Sequence, residues 1–175
     1  SAQAEFAHCL ETVRAFALAY PQHGFSLTHN GKEKCCFPPH KAITDIWHHK
    51  NDLDIGEETL RQRASSLFDK TLSQRLLYIK ASNHYGSIEA LISPPGLEKI
   101  TTKNLLYFVN GRWVKDQVLR YGILRGYHSH LLKGRYPQVI CYLKTDPSLI
   151  DVNVHPSKTQ LRFQYADEVQ GLLAR

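Results

Sequence analysis

The sequence has 175 residues, 42% of them hydrophobic, with a formal net charge of +6 and a pI near 9.2. That length supports one domain with its own core, and that apolar content excludes a disordered chain. No apolar run approaches the ~20 residues of a membrane helix, and the start, Ser1-Ala-Gln-Ala-Glu, lacks the basic and apolar regions of a signal peptide.

In chain order, residues 5–19 read as a helix. Phe6, Leu10, Val13, Phe16 and Ala17 recur at helical steps. Phe25–His29 alternates like a strand, Asn30-Gly31 is a hairpin turn, and Lys32–Phe37 is its return strand, stopped by Pro38-Pro39. Residues 40–55 are polar and poorly patterned. His40, His48 and His49 raise the question of a metal, but adjacent histidines diverge on any regular element, so no metal site is expected. Trp47 is the residue expected to pin this segment to the body.

Residues 57–68 read as a helix with acids at its start and Leu60, Ala64, Leu67 and Phe68 as its apolar stripe. Leu76–Ile79 and Ser87–Ile92 read as strands, followed by the stop Ser93-Pro-Pro-Gly96. The unbroken apolar run Leu105–Val109 fits a strand buried on both faces. Asn110-Gly111 turns the chain, and a helix runs from about Lys115 to Leu132. Its Gly122 and Gly126 leave room for close contact with a neighbour. Val139–Leu143 is another strand, Asp146-Pro147 a turn, and Tyr165–Leu173 a last helix.

Cys9, Cys35, Cys36 and Cys141 show no C-x-x-C spacing and read as free thiols of a reducing compartment. The order of elements predicts an α+β fold: a two-layer mixed sheet with helices mainly on one face, all in a single domain over residues 1–175.

Two stretches carry chemistry. In Asp151-Val-Asn-Val-His-Pro-Ser-Lys158, valines alternate with polar residues until Pro156 breaks the strand; Leu161 and Phe163 then resume the alternation. Lys158 therefore belongs to a loop held at both ends by sheet, where a point charge suits phosphate. An acid–base site built from His155 with Asp151 and Lys158 is disfavoured, since Asp151, Asn153 and His155 follow one another at ~6.5–7 Å along one strand face. No metalloprotease, nucleophile-elbow or Walker-type motif is present.

The second stretch is basic. From Lys99 to Lys144, Asp116 is the sole acid among Lys99, Lys103, Arg112, Lys115, Arg120, Arg125, Lys133, Arg135 and Lys144. Such a stripe suits a nucleic-acid backbone read without base contacts, or equally a solvated helix face. Arg112, after the Asn-Gly turn, either meets phosphate or pairs with Asp116 to brace the turn.

Asp151–Lys158, preceded by Phe108-Val-Asn-Gly-Arg112, resembles the second half of the ATPase region of MutL-family mismatch repair proteins. The likeness covers most of the chain and is least over residues 35–55. The resemblance implies a ribosomal S5 domain 2-like fold with a left-handed βαβ crossover. It implies a transducer domain adjoining a GHKL ATPase domain upstream. That upstream domain binds most of the ATP and Mg; no cofactor is expected in this chain alone.

On this resemblance Lys158 is the catalytic and nucleotide-binding residue, reaching the γ-phosphate of ATP, while Asp151, Asn153, His155 and Pro156 shape its loop. Arg112, Lys115, Arg120, Arg125, Lys133 and Arg135 contact DNA, although this chain has Gln117 where some members carry a basic residue. The implied function is DNA mismatch repair, with ATP binding and hydrolysis coupled to dimer closure and DNA binding. The implied partners are DNA, the GHKL domain, mismatch-recognition and downstream repair proteins, and a second copy in the full-length protein. The implied setting is cytoplasmic and nucleoid-associated, with no membrane. ATP turnover by this chain alone is not expected. The alternative is a stand-alone S5-like nucleic-acid-binding module without nucleotide coupling.

Overall fold

In a computed structural model, residues 1–40, 47, 53–152 and 160–174 are described. A five-stranded mixed sheet organises them. Its strands are β3 (Leu77–Asn83), β4 (Gly86–Ile92), β5 (Leu105–Val109), β6 (Arg112–Val114) and β7 (Val139–Thr145), in the order β3-β4-β7-β5-β6. Two hairpins, β3–β4 and β5–β6, are antiparallel, and β7 enters between them, antiparallel to β4 and parallel to β5. Parallel neighbours need a long crossover. Here it runs through β6 and the helix α4 (Gln117–Tyr127).

The central strands explain why their runs are apolar throughout. Tyr107, Val109, Cys141 and Leu143 point to one face, while Phe108, Ile140 and Tyr142 point to the other. On the first face they pack on Leu119, Ile123 and Tyr127 of α4 and on Val169, Leu172 and Leu173 of α5 (Ala166–Leu173). On the second they meet Ala15, Leu18 and Ala19 of α1 (Ala2–Ala19) and Leu60 and Ala64 of α2 (Glu57–Ser65). The α+β class and the mixed sheet are as expected. The layering is fuller than two, because α1 and α2 cover the second face, as an apolar β7 requires. Burying each such large side chain contributes roughly 1.5–3 kcal/mol.

Gly122 and Gly126 set the closest helix contact. A Cβ on Gly122 would lie 2.9 Å from Leu173 Cβ and 3.1 Å from the backbone of Gln170, and one on Gly126 3.2 Å from Ala174 Cα. The neighbour for which they leave room is α5.

The hairpin β1 (Phe25–His29) and β2 (Lys32–Phe37) forms as read, with Asn30 and Gly31 at φ 53° and 71°, the geometry of a type I′ turn. It packs on α1, where Phe6 stacks on His29 and Phe16 on Phe25. The expected stripe of α1 is corrected. Burial is confined to Ala15, Ala17, Leu18 and Ala19, and Phe16 is 51% exposed, because only the last turns of α1 rest on the sheet. The structure also contains two elements not foreseen: α3 (Lys70–Arg75), capped by Asp69 accepting from Leu72 N–H, and β6, hidden in three residues after the turn. Helix α4 stops at Tyr127, well before Leu132, and a 3-10 turn follows with His128 at φ 46°.

Candidate nucleotide-sensing loop and nucleic-acid interface

The first motif is tied to the end of the strand that precedes the second. Asn110 and Gly111, at φ 47° and 85°, make the tight turn between β5 and β6. The Asn110 amide then clasps the exit of β7. Its Nδ2–H donates to Thr145 O at 2.9 Å, its Oδ1 accepts from Thr145 N–H at 3.1 Å, and its own N–H donates to Leu143 O at 3.0 Å. From Thr145 the chain passes Asp146, whose carboxylate accepts from Ser148 N–H at 2.8 Å. That backbone bond, the largest influence, lowers the Asp146 pKa from its ordinary value.

Next come β8 (Ile150–Asp151) and β9 (Arg162–Phe163), an antiparallel pair with Ile150 opposite Phe163 and Asp151 opposite Arg162. Gln164 N–H closes the frame by donating to Leu149 O at 2.9 Å. The returning strand is also tied to α4. Asp116 is buried; its Oδ1 accepts from Val118 and Leu119 N–H at 2.8 and 3.3 Å, capping the helix, and its Oδ2 accepts from Leu161 N–H at 3.1 Å. The described residues on either side, Ile150–Asp151 and Leu161–Phe163, are thus tied to each other and to α4. Asp151 stands in β8, whereas Asn153, His155, Pro156 and Lys158 lie outside the described residues.

The Asp116 geometry settles the two readings of Arg112 in one respect. The carboxylate faces three backbone N–H groups, so it does not serve as the brace for Arg112. Arg112 stands exposed on β6.

The basic stripe divides into separate groups. Lys115 places its ammonium 4.5 Å from the centre of the Trp113 ring and 3.1 Å from Glu11 Oε1. Lys103, Lys115 and Arg120, with Glu11 and Asp116, line a depression of about 160 Å³ that Tyr107 and Trp113 border from opposite faces of the sheet. It lies where β6, paired only with Tyr107–Val109, leaves the start of β5 uncovered. Arg125 follows Arg120 by five positions, about 140° around the helix, so the two do not share a side of α4. Arg125, Lys133 and Arg135 are exposed at and beyond the C-terminal end of α4.

A second cavity, of about 370 Å³, shares Trp113 with this depression and is lined also by Phe16, Tyr20, Asn110, Gly111 and Arg112. Two buried donors beside these spaces have no hydrogen-bond partner, the Tyr107 hydroxyl and Trp113 Nε1. Burial first, then the nearby Cys141, pushes the Tyr107 phenol far above its ordinary pKa, so it stays a neutral donor.

Other polar residues escaped the reading of the sequence. Glu89, in the middle of β4, is fully buried at 0% exposure. Its carboxylate accepts from Ile55 and Gly56 N–H at 3.2 and 3.0 Å and from the Tyr78 hydroxyl at 3.1 Å, and pairs with Lys80 at 3.2 Å. Burial, then the Glu89 charge, pushes the Tyr78 phenol up to about 12. Arg63, also buried, donates to the carbonyls of Pro21 and His23. Desolvation lowers its pKa. A lone acid within Ser87–Ile92 was the available signal for Glu89, since it breaks an otherwise apolar run.

Trp47 does pin its segment: its Nε1–H donates to Ala19 O at 2.7 Å, and the Lys144 ammonium donates to its carbonyl. All four cysteines are free. Among the described residues no cluster of three potential metal ligands occurs, and no helix is long and apolar enough to cross a membrane.

Residues 64–175 match the family model described as DNA mismatch repair protein, C-terminal domain. The chain is 35% identical over 162 residues to a DNA mismatch repair protein MutL of Herminiimonas arsenicoxydans, covering 93% of this chain and 24% of that protein. It is 31% identical over 173 residues to a DNA mismatch repair protein MutL of Acidiphilium cryptum, covering 99% and 27%. It therefore spans about a quarter of the length of these curated relatives. A crystal structure of the N terminal domain of a DNA repair protein superposes with a TM-score of 0.65 at 20% identity, covering 99% of this chain and 52% of that one, so the fold is shared. The model match spans well over half of the sequence and contains the whole five-stranded sheet, both motifs and the Asp116 clasp: the chain belongs to the MutL family of DNA mismatch repair proteins.

Proposed function

We propose that this chain acts in DNA mismatch repair as the transducer of a MutL-type protein. It couples the nucleotide state of an adjoining GHKL domain to dimer closure and DNA engagement. In this reading the GHKL domain holds ATP and Mg, and this chain contributes Lys158. A fixed ammonium beside the γ-phosphate neutralises charge in the bound state and during phosphoryl transfer. It also makes the arrangement of the two domains depend on whether that phosphate is present.

The observation that carries the reading is the double clasp. Asn110 fixes the strand entering the Lys158 segment, and Asp116 fixes the strand leaving it. Asp116 also caps α4, the helix that bears Arg120 and Arg125. A shift of the lysine segment therefore pulls on the start of the helix that faces DNA. Arg112, Lys115, Arg120, Arg125, Lys133 and Arg135 hold backbone phosphates. Asp151, Asn153, His155 and Pro156 shape the loop. The partners in the full-length protein are DNA, mismatch-recognition and downstream repair proteins, and a second copy, in the cytoplasm at the nucleoid.

The test is Lys158→Ala in the full-length protein. ATP turnover falls at least about tenfold while the melting temperature holds; unchanged turnover sinks the assignment. This chain alone turns over no ATP, and steady hydrolysis by it would be equally damaging.

A further inference from the structure

The turn between β3 and β4 reaches further than a chain reversal needs. Asn83 stabilises it. Its Oδ1 accepts from Tyr85 N–H at 2.9 Å and from Gly86 N–H at 3.1 Å, so positions 84 and 85 are free to carry large side chains. The turn lies directly on the end of β7, where a Cβ on Gly86 would collide with Lys144 O. The next residue, Thr145, is only 6% exposed, and its hydroxyl donates to Tyr85 O at 2.6 Å. Thr145 is thus held twice, its main chain by the Asn110 amide and its side chain by the turn.

The same turn also grips the residues that follow the lysine segment. The Tyr85 ring packs against that of Tyr165 with 4.8 Å between centroids, and Asn83 Nδ2–H donates to Glu168 O at 3.5 Å. Tyr165 stands at the start of α5, right after Gln164, whose N–H is bonded to Leu149 O. Between Thr145 and β8 the chain has little freedom. Asp146 caps a single 3-10 turn, Pro147 fixes φ, and Leu149 N–H donates to Asp146 O at 3.0 Å. A displacement at Thr145 is therefore passed on to Ile150 and Asp151. Tyr165 is 41% exposed, so removing its ring leaves the core intact.

We infer that Thr145, Tyr85 and Tyr165 are positioning residues for Lys158. Through the β3–β4 turn they fix the strand that leads to the lysine segment relative to the helix that follows it. They thereby fix the base from which the lysine reaches the γ-phosphate. The inference rests on the role of Lys158 proposed above and extends it: the Asn110 and Asp116 clasps each hold one side of the segment, and this turn brackets both.

The experiment measures the affinity of the full-length protein for a non-hydrolysable ATP analogue and for ADP, by titration calorimetry with Mg present. Only the analogue carries a γ-phosphate. A misplaced lysine therefore weakens the analogue and spares ADP, whereas a general loss of structure weakens both. Lys158→Ala weakens the analogue at least about tenfold, the worth of a hydrogen bond to a charged group. Thr145→Val keeps the shape, removes the hydroxyl and weakens the analogue roughly threefold or more, with ADP unchanged. Thr145→Ser restores the affinity. Tyr165→Ala behaves like Thr145→Val, and Tyr165→Phe like the wild type; this exposed pair decides the matter if Thr145→Val fails to fold. Adding either loss to Lys158→Ala brings no further weakening, because both act through that lysine. Equal losses on analogue and ADP, a full loss on top of Lys158→Ala, or no loss at all overturns the positioning role while leaving that of Lys158 intact. An analogue affinity unmoved by Lys158→Ala overturns both.

Discussion

The two faces of the central sheet are fastened in different ways. On the α4–α5 face the fit is one of shape: apolar side chains of β4, β5 and β7 meet two helices whose backbones close up at Gly122 and Gly126. On the α1–α2 face much of the fastening is directional. The Tyr142 hydroxyl donates to Leu18 O at 2.9 Å, Trp47 Nε1–H to Ala19 O, Arg63 to the carbonyls of Pro21 and His23, and Glu89 gathers the start of the segment leading into α2. The family model begins at residue 64, so it contains the first kind of face entire and leaves α1 and the hairpin outside. The second face is thus a joint between the sheet and what precedes it. Hydrogen bonds to backbone carbonyls at the end of α1 set its position and rotation. A purely apolar contact, being non-directional, sets these less sharply.

Glu89→Leu tests that contrast with the largest expected effect. It strands two backbone N–H groups and the Tyr78 hydroxyl, at about 1–3 kcal/mol for each buried group left unpaired. Urea unfolding measures it. A loss below about 1 kcal/mol would mean that the second face is held by apolar packing after all. Gly122→Val is the matching probe of the first face. Its methyl groups would press on Leu173 and on the backbone of Gln170, which cannot rotate aside, so about 1–3 kcal/mol of overpacking is expected. A neutral result would show that α5 yields freely, and that shape is not what fastens it.

The same contrast explains what was legible in the sequence. Shape announces itself as periodicity. The strands β4, β5 and β7, the helix α5, and the close approach at Gly122 and Gly126 all follow from apolar spacing and small residues. Turn chemistry was as clear, since Asn30-Gly31 and Asn110-Gly111 both take the φ > 0 conformations that these residues tolerate best. Directional fastening has no period. Nothing in the sequence points to the partners of Glu89 and Arg63, and Asp116 looked like a partner for Arg112, because the backbone N–H groups and carbonyls they meet are remote in sequence. Helix α1 was misjudged for a related reason. Its stripe assumed a full-length contact, while the sheet beneath supports only its end. The basic stripe was legible as charge but not as arrangement, since Lys103, Lys115 and Arg120 converge while Arg125 turns away.

Asp116 belongs to both modes, a polar clasp set into the edge of the apolar face. Asp116→Ala removes a helix cap and the tie to Leu161, at about 1–2 kcal/mol. Asp116→Asn keeps one acceptor oxygen toward α4 and costs less. If the clasp transmits between the lysine segment and α4, Asp116→Ala in the full-length protein weakens the ATP dependence of DNA binding more than it weakens DNA binding itself. Equal losses in the two would reduce Asp116 to a stabilising cap.

Alkaline pH probes the apolar face with the smallest effect. Burial pushes the Cys141 thiol from its ordinary 9.0 up to about 12 and, as the leading influence, the Tyr127 phenol from 10.0 up to about 12. Both folded values lie above the unfolded ones. The native state therefore holds more protons in the interval, and stability must fall as pH rises. The contribution is complete below about pH 9 for Cys141 and pH 10 for Tyr127, and is lost progressively toward pH 12. Tyr127→Phe keeps the ring that packs on the sheet and removes one titrating group. It also removes the hydrogen bond to Ser93 O, a loss felt at every pH. The decline in urea midpoint above pH 10 should therefore be shallower in Tyr127→Phe, by up to about 1.4 kcal/mol per pH unit. An identical slope in wild type and variant would mean that the hydroxyl reaches water in the native state, and that α4 sits less tightly on the sheet than the packing of Tyr127 requires.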